Sequence, residues 1–263
     1  VDLCRSILKS TDMKNKRFLL ALILFLAGMA GILSLLSLEV NKEQLPPEVL
    51  AMYSERVIQL LVLVNPTLLL ILALVAGTLL HERTRLSVPL MGSMIGREPW
   101  WPVLRSQLSW GIPLGIFTGV FIWAFARVSR QVLPEEFLEL SQQFEPTVLM
   151  KLLYGGITEE LLVRFGLMTL VVWLISLATK SLSSGVYWAA IVLTSVLFGA
   201  GHLGVLFNAV AAPSAGMILY VIVGNSVAGI FLGWLYWKKG LEAAIFAHMT
   251  AHLAMIFLLH VVG

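Results

Sequence analysis

The 263-residue chain is 59% hydrophobic and only 13% charged, against about 25% charged in an ordinary soluble domain. Its formal net charge of +3 is spread between loops rather than gathered into a patch with interleaved aromatics, which argues against a nucleic-acid partner. The single cysteine, Cys4, rules out an intramolecular disulfide and leaves the redox compartment open.

Crossing a bilayer takes about 20 apolar residues on a helix. Runs of that order lie at about Phe18 to Leu38, Val57 to Leu80, Leu108 to Phe125, Val148 to Ala178, Val186 to Leu206, Gly216 to Trp237 and Leu241 to Val262. They predict an all-α fold, a polytopic transmembrane helix bundle of seven spans, with eight as the alternative count. No soluble stretch exceeds about thirty residues, so residues 1–263 read as a single integral-membrane domain.

Arg5, Lys9, Lys14, Lys16 and Arg17 precede the first run, which has no small-residue cleavage site, so it reads as a signal anchor. Cys4 falls near the membrane surface, where lipidation is conceivable and a free thiol is the simpler reading. The first loop is acidic (Glu39, Glu43, Glu48, Glu55), and the second is basic (Arg83, Arg85, Arg97, Arg105). With Lys180, Lys238 and Lys239 on the same side, the positive-inside rule predicts an inside N-terminus and an outside C-terminus.

Within the second span, Asn65-Pro66 should kink the helix. Gly96 to Pro102 joins paired tryptophans to a proline-bounded turn, an interfacial elbow at headgroup level. In the third loop, Pro134-Glu135-Glu136, Glu139 and Glu145 lie outside any apolar run and read as a solvated helix start. Lys151 is expected to snorkel toward headgroups, a substrate-facing role staying open.

The fourth run is different, because Glu159, Glu160 and Arg164 interrupt it. Ionisable groups at membrane depth cost at least about 2.5–3.5 kcal/mol each on insertion scales and mark function by default. On an α-helix residues four apart share a face, so Glu160 should pair with Arg164 and leave Glu159 turned elsewhere, free to act. The fifth run ends in Phe198-Gly199-Ala200-Gly201-His202, with Phe198 placed to pack beneath the His202 ring. Asn225 and Ser226 in the sixth read as interhelical hydrogen-bond partners. Gly240 should make a tight turn, with Glu242 at the following helix N-terminus.

The seventh run carries His248 and His252, four apart on one face. That spacing suits metal chelation and equally suits two hydrogen-bond donors aimed at one point. His81 and His260 read as interfacial bystanders. Lipid cannot solvate three polar clusters in three hydrophobic helices, so they should face one cavity. A carboxylate and imidazoles converging in a water-accessible cavity read as hydrolysis, with Glu159 as general base to a water. One difficulty is the level of each group. On this topology His202 lies toward the outer end of its span, His248 toward the inner end, and Glu159 between. A helix start displaced by a turn, or a broken span near Gly155-Gly156, would reconcile them.

In order along the chain, Glu159-Glu160-x-x-x-Arg164, Phe198-x-x-x-His202 and His248-x-x-x-His252 resemble the three signature motifs of the CAAX protease and bacteriocin-processing (CPBP) family, which includes the type II CAAX prenyl endopeptidases, or Ras-converting enzymes. The resemblance covers a core of about residues 145–262. It implies an intramembrane endopeptidase in which Glu159 and His202 activate the attacking water. Glu160, Arg164 and Phe198 support the site, and His248 and His252 meet the oxyanion. The family's third motif normally ends in Asn or Asp where this chain has His252. No cofactor is favoured, but a zinc set of Glu159, His202, His248 and His252, and with it a metalloendopeptidase, stays open. The expected partners are the lipid bilayer and a membrane-associated peptide or protein substrate, and the expected place is a prokaryotic cell membrane. Two other classes stand beside this one: a non-catalytic immunity or scaffold protein that retains the family residues, and a proton-coupled transporter.

Overall fold

The computed structural model describes residues 2–38, 47–134, 137, 146–210 and 212–262. Within them, seven helical runs are long and apolar enough to cross a membrane: Met13–Ser37, Glu55–Leu80, Trp100–Ser129, Val148–Thr179, Ser184–Ala209, Ala215–Lys239 and Leu241–Val261. Most reach a few residues beyond the apolar runs, since a helix keeps its backbone hydrogen bonds internal until polar loop surroundings can take over. The third-loop glutamates at 135, 136, 139 and 145, and Glu39, Lys42 and Glu43 of the first loop, lie outside the described residues.

Proline shapes the second span one turn earlier than its own position. Pro66 has no N–H and its ring crowds the carbonyl four residues back, at Val62. The helix accordingly divides there, into Glu55–Val62 and Val64–Leu80. At the predicted elbow, the short helix Pro89–Gly96 is closed by Arg97 in a left-handed conformation (φ 57°). Trp100 and Trp101 then form the first turn of the third span rather than a loop, stacked edge-on at 5.7 Å, with Arg105 5.1 Å from the Trp101 ring.

The fourth span is the central one. Leu161, Phe165, Met168 and Val172 are fully buried in the main core, against residues of the first, second, fifth and sixth spans. Its winding departs from the α-helix assumed above: hydrogen bonds run i→i+5 over Lys151–Glu159 and again over Leu161–Met168. Such π-turns are rare and concentrate at functional sites. The span is therefore widened rather than broken at Gly155-Gly156, and this stretch carries both glutamates.

Span seven is held by small residues. Gly111, Gly115 and Gly119 of the third span lie along Ala243, Ala247 and Ala251; a Cβ on Gly111 would come within 2.9 Å of the Ala243 carbonyl, and one on Gly119 within 2.5 Å of that of Ala251. In lipid, helix association rests on such close backbone approach. The contact fixes the depth and rotation of the helix that bears His248 and His252.

Four contacts gather one end of the bundle. Arg17 pairs with Glu82, the Tyr187 hydroxyl donates to the Thr84 carbonyl (2.9 Å), Leu241 N–H to Ser87 O (3.0 Å) and Met91 N–H to Glu242 Oε1 (2.8 Å). Gly240 makes the predicted tight turn at φ 112°, against Pro89. Glu242 thus meets the N-terminus of Pro89–Gly96 as well as sitting in the first turn of its own helix. The basic residues of the second loop and of the turns after spans four and six therefore share one end.

Candidate active site

Glu160 is completely buried, and one of its oxygens meets two partners. Its Oε1 lies 3.2 Å from an Arg164 guanidinium nitrogen, the expected i, i+4 pair, and accepts a hydrogen bond from His248 Nδ1 at 2.8 Å. Arg164 also donates to the Gly229 carbonyl of span six (3.2 Å) and lies 5.0 Å from the centre of the Phe198 ring. Buried charge is tolerated only when paired and hydrogen-bonded, so these contacts lock spans four, five, six and seven to one another.

The rings follow from this anchor. Phe198 packs edge-on to His202 at 4.7 Å, as its spacing predicted, and to His248 at 6.4 Å. His202 lies at the break between Ser184–Gly201 and Leu203–Ala209 rather than at the span's end. His248 and His252 stack at 4.9 Å and 19°. Span four, where it is widely wound, reaches span seven through Glu160 and His248, and His202 lies beside Phe198 at the break in span five.

Hydrogen-bond partners assign the imidazoles. His202 Nδ1 lies 2.8 Å from the Phe198 carbonyl, which can only accept, so Nδ1 carries the proton and neutral His202 presents an Nε2 lone pair. His248 Nδ1 faces the Glu160 carboxylate, with the same consequence. His252 is reversed. Its Nδ1 is buried with no partner among the described residues, and an orphaned lone pair is less costly than an orphaned N–H, so the proton belongs on Nε2. That nitrogen lies against Gly155, where a Cβ would come within 2.8 Å of it.

All three histidines, Phe198 and Glu159 line one cavity of about 970 Å³. Glu159 is half-buried, accepts no hydrogen bond from a described residue, and sits within electrostatic range of His202, His248, Glu160 and Arg164. The expected division between a committed Glu160 and an available Glu159 therefore holds in the geometry. Lys151 also lines this cavity instead of reaching only toward headgroups.

The remaining histidines stay out of it. His260 is exposed, and His81 packs 5.8 Å from Phe165 with its Nδ1 toward the Leu86 carbonyl. Burial of His81, outside the spans, lowers its affinity for a proton.

Three residues, Asn225, Ser226 and Tyr154, differ from or add to what the sequence suggests. Asn225 and Ser226 make no interhelical hydrogen bond among the described residues. Asn225 bonds within its own helix, to the Val221 carbonyl (2.8 Å), and lines the cavity, whereas Ser226 Oγ is buried without a partner. Tyr154, five residues before Glu159 in the wide winding, also lines the cavity. Nothing in an α-helical reading of the sequence had put it on the side of Glu159.

The candidate zinc set does not fit as arranged. Zinc requires nitrogens within about 2.0–2.1 Å of one point. The Nδ1 contacts of His202 and His248 leave Nε2 free, the arrangement that metal-ligating histidines use, so the misfit lies in the spacing of the whole set. Among the described residues no three His, Cys, Asp or Glu side chains form a metal-binding group.

Residues 141–254, which carry all three motifs, match the family described as Type II CAAX prenyl endopeptidase Rce1-like. Over these residues the chain is similar to that family. Comparisons with curated proteins and with solved structures found no match. The Rce1-like region begins just before span four and ends within span seven, so it holds every helix that contributes to the cluster around Glu160. Spans one to three lie before it and act as packing partners, the first and second against span four and the third against span seven.

Proposed function

We propose that the chain is an intramembrane endopeptidase that hydrolyses a peptide bond in a membrane-associated peptide or protein. The observation that carries this reading is Glu159: a carboxylate with no hydrogen bond from a described residue, facing a large cavity at membrane depth beside histidines that present both lone pairs and an N–H.

In this reading Glu159 takes a proton from a water, and the His202 Nε2 lone pair orients that water. His248, held by Glu160, offers a second acceptor at the same wall. The water oxygen bonds to the peptide carbon, the carbonyl pair moves onto its oxygen, and His252 Nε2–H donates to that oxyanion. When the carbonyl reforms, the C–N bond breaks and the Glu159 proton passes to the leaving nitrogen. Glu160, Arg164 and Phe198 position the rings and touch no reacting atom. No step passes through a metal. The basic end of the bundle faces the cytoplasm by the positive-inside rule, with the N-terminus inside.

A release assay tests this. Purified protein in lipid nanodiscs is given a panel of lipid-anchored peptides, prenylated and unprenylated, and fragments are identified by mass spectrometry with and without a chelator. Cleavage at one bond, unaffected by chelation, is expected. Binding without cleavage would assign the chain to a non-catalytic role, and proton-coupled uptake of intact peptide to a transporter. Cleavage lost on chelation and restored by zinc would make it a metallopeptidase.

A further inference from the structure

Span six contributes no signature motif, yet it presents Asn225 to the cavity. Its level is set by close contacts with span five. A Cβ on Gly199 would come within 2.5 Å of the Ile222 carbonyl and 2.8 Å of Ser226 Oγ; one on Gly229 would meet Ser195 Oγ at 2.8 Å, and one on Gly233 would meet Ile191 at 3.2 Å. As the residue number rises on span six it falls on span five, which is an antiparallel register. Asn225 therefore lies at the level of Phe198 and Gly199, within one turn of His202.

The amide is oriented. Its nitrogen must be the atom facing the Val221 carbonyl at 2.8 Å, because a carbonyl cannot donate. An amide nitrogen has two hydrogens and this bond uses one. No described group takes the second. Among the imidazoles here, His202 and His248 both place Nδ1 on an acceptor, so in their neutral forms each offers the cavity a lone pair rather than a donor. Water oriented by such acceptors can attack, but the oxygen that gains charge needs N–H groups aimed at it from another direction.

We propose that Asn225 is a catalytic residue whose Nδ2–H donates to the scissile carbonyl oxygen and holds it as negative charge develops, acting together with His252 Nε2–H. This rests on the endopeptidase reading. As the water oxygen bonds to carbon, the π pair shifts to the carbonyl oxygen and both donors shorten onto it. On collapse the pair returns and the C–N bond breaks, leaving Asn225 unchanged. The Val221 carbonyl keeps the amide aligned throughout, so little reorganisation accompanies the step.

The test uses full-length protein in nanodiscs, with Asn225→Ala and the near-isosteric Asn225→Asp, which lacks the donor. Cleavage of the peptide found in the release assay is measured as separate kcat and KM, with melting temperature alongside. Affinity for a peptide in which a tetrahedral phosphinate replaces the scissile bond is compared with affinity for the uncleaved peptide in a Glu159→Gln background. The expected result is a kcat about a hundred- to a thousandfold lower in both variants, the usual loss for one oxyanion donor, with KM and melting temperature held. Phosphinate affinity falls in parallel while peptide affinity does not. Unchanged kcat and phosphinate affinity would overturn the assignment, as would losses that track a lowered melting temperature in both variants, which would make Asn225 a packing residue. If the unaltered protein cleaves nothing, the endopeptidase reading itself falls; if it cleaves and the Asn225 variants match it, only this inference does.

Discussion

Glu160 holds a cation and an imidazole on one oxygen at membrane depth, and its neighbour Glu159 holds neither. That contrast is visible in outline from the sequence, because Arg164 four residues on can pair with only one of two adjacent carboxylates. The third member, His248, was not assignable, since it lies 88 residues away on another span. Removing one partner of a buried ion pair typically costs about 3–5 kcal/mol, as the other charge is left uncompensated. Glu160→Ala and Arg164→Ala should each lower folded yield and melting temperature, and the double change should cost less than the sum. Strict additivity in a double-mutant cycle would show that the two do not interact. His252 gives a second residue-scale outcome: Asn in its place keeps an N–H donor and should leave cleavage within about tenfold, whereas Ala should lose about a hundred- to a thousandfold. Kinetics on the two purified variants decide it, and equal losses in both would contradict a donor role.

At the scale of elements, the helices themselves were the legible part, since their apolar runs stand out against charged loops. How they are wound and packed was not. An i→i+5 shift leaves no mark on apolar spacing, and Leu161, Phe165, Met168 and Val172 keep the spacing of an ordinary helix. Gly111, Gly115 and Gly119 are likewise mute until Ala243, Ala247 and Ala251 are known to face them. The contact makes a prediction about the site. Gly115→Ala places a Cβ within 2.7 Å of Thr250 and should displace the helix carrying His248 and His252, at the roughly 1–3 kcal/mol typical of overpacking. Gly92→Ala, where nothing lies within 4 Å, is the control. Melting temperature and cleavage should both fall for Gly115→Ala and hold for Gly92→Ala; equal behaviour of the two would remove span three from any part in positioning the site.

In the whole molecule, basic residues collect at one end, a large cavity opens among spans two to seven, and one buried charged cluster ties four of those spans together. Sequence order placed the three motifs in the right helices because lipid leaves polar groups few places to go except toward one another. It could not show that Glu159 alone among the charged pair would face open space. On that the account turns, and Glu159→Gln tests it most directly, since the amide keeps the side chain's shape and loses the base. In the release assay, with melting temperature held to that of the unaltered protein, cleavage should fall about a hundred- to ten-thousandfold. Turnover retained in well-folded Glu159→Gln protein would contradict the account.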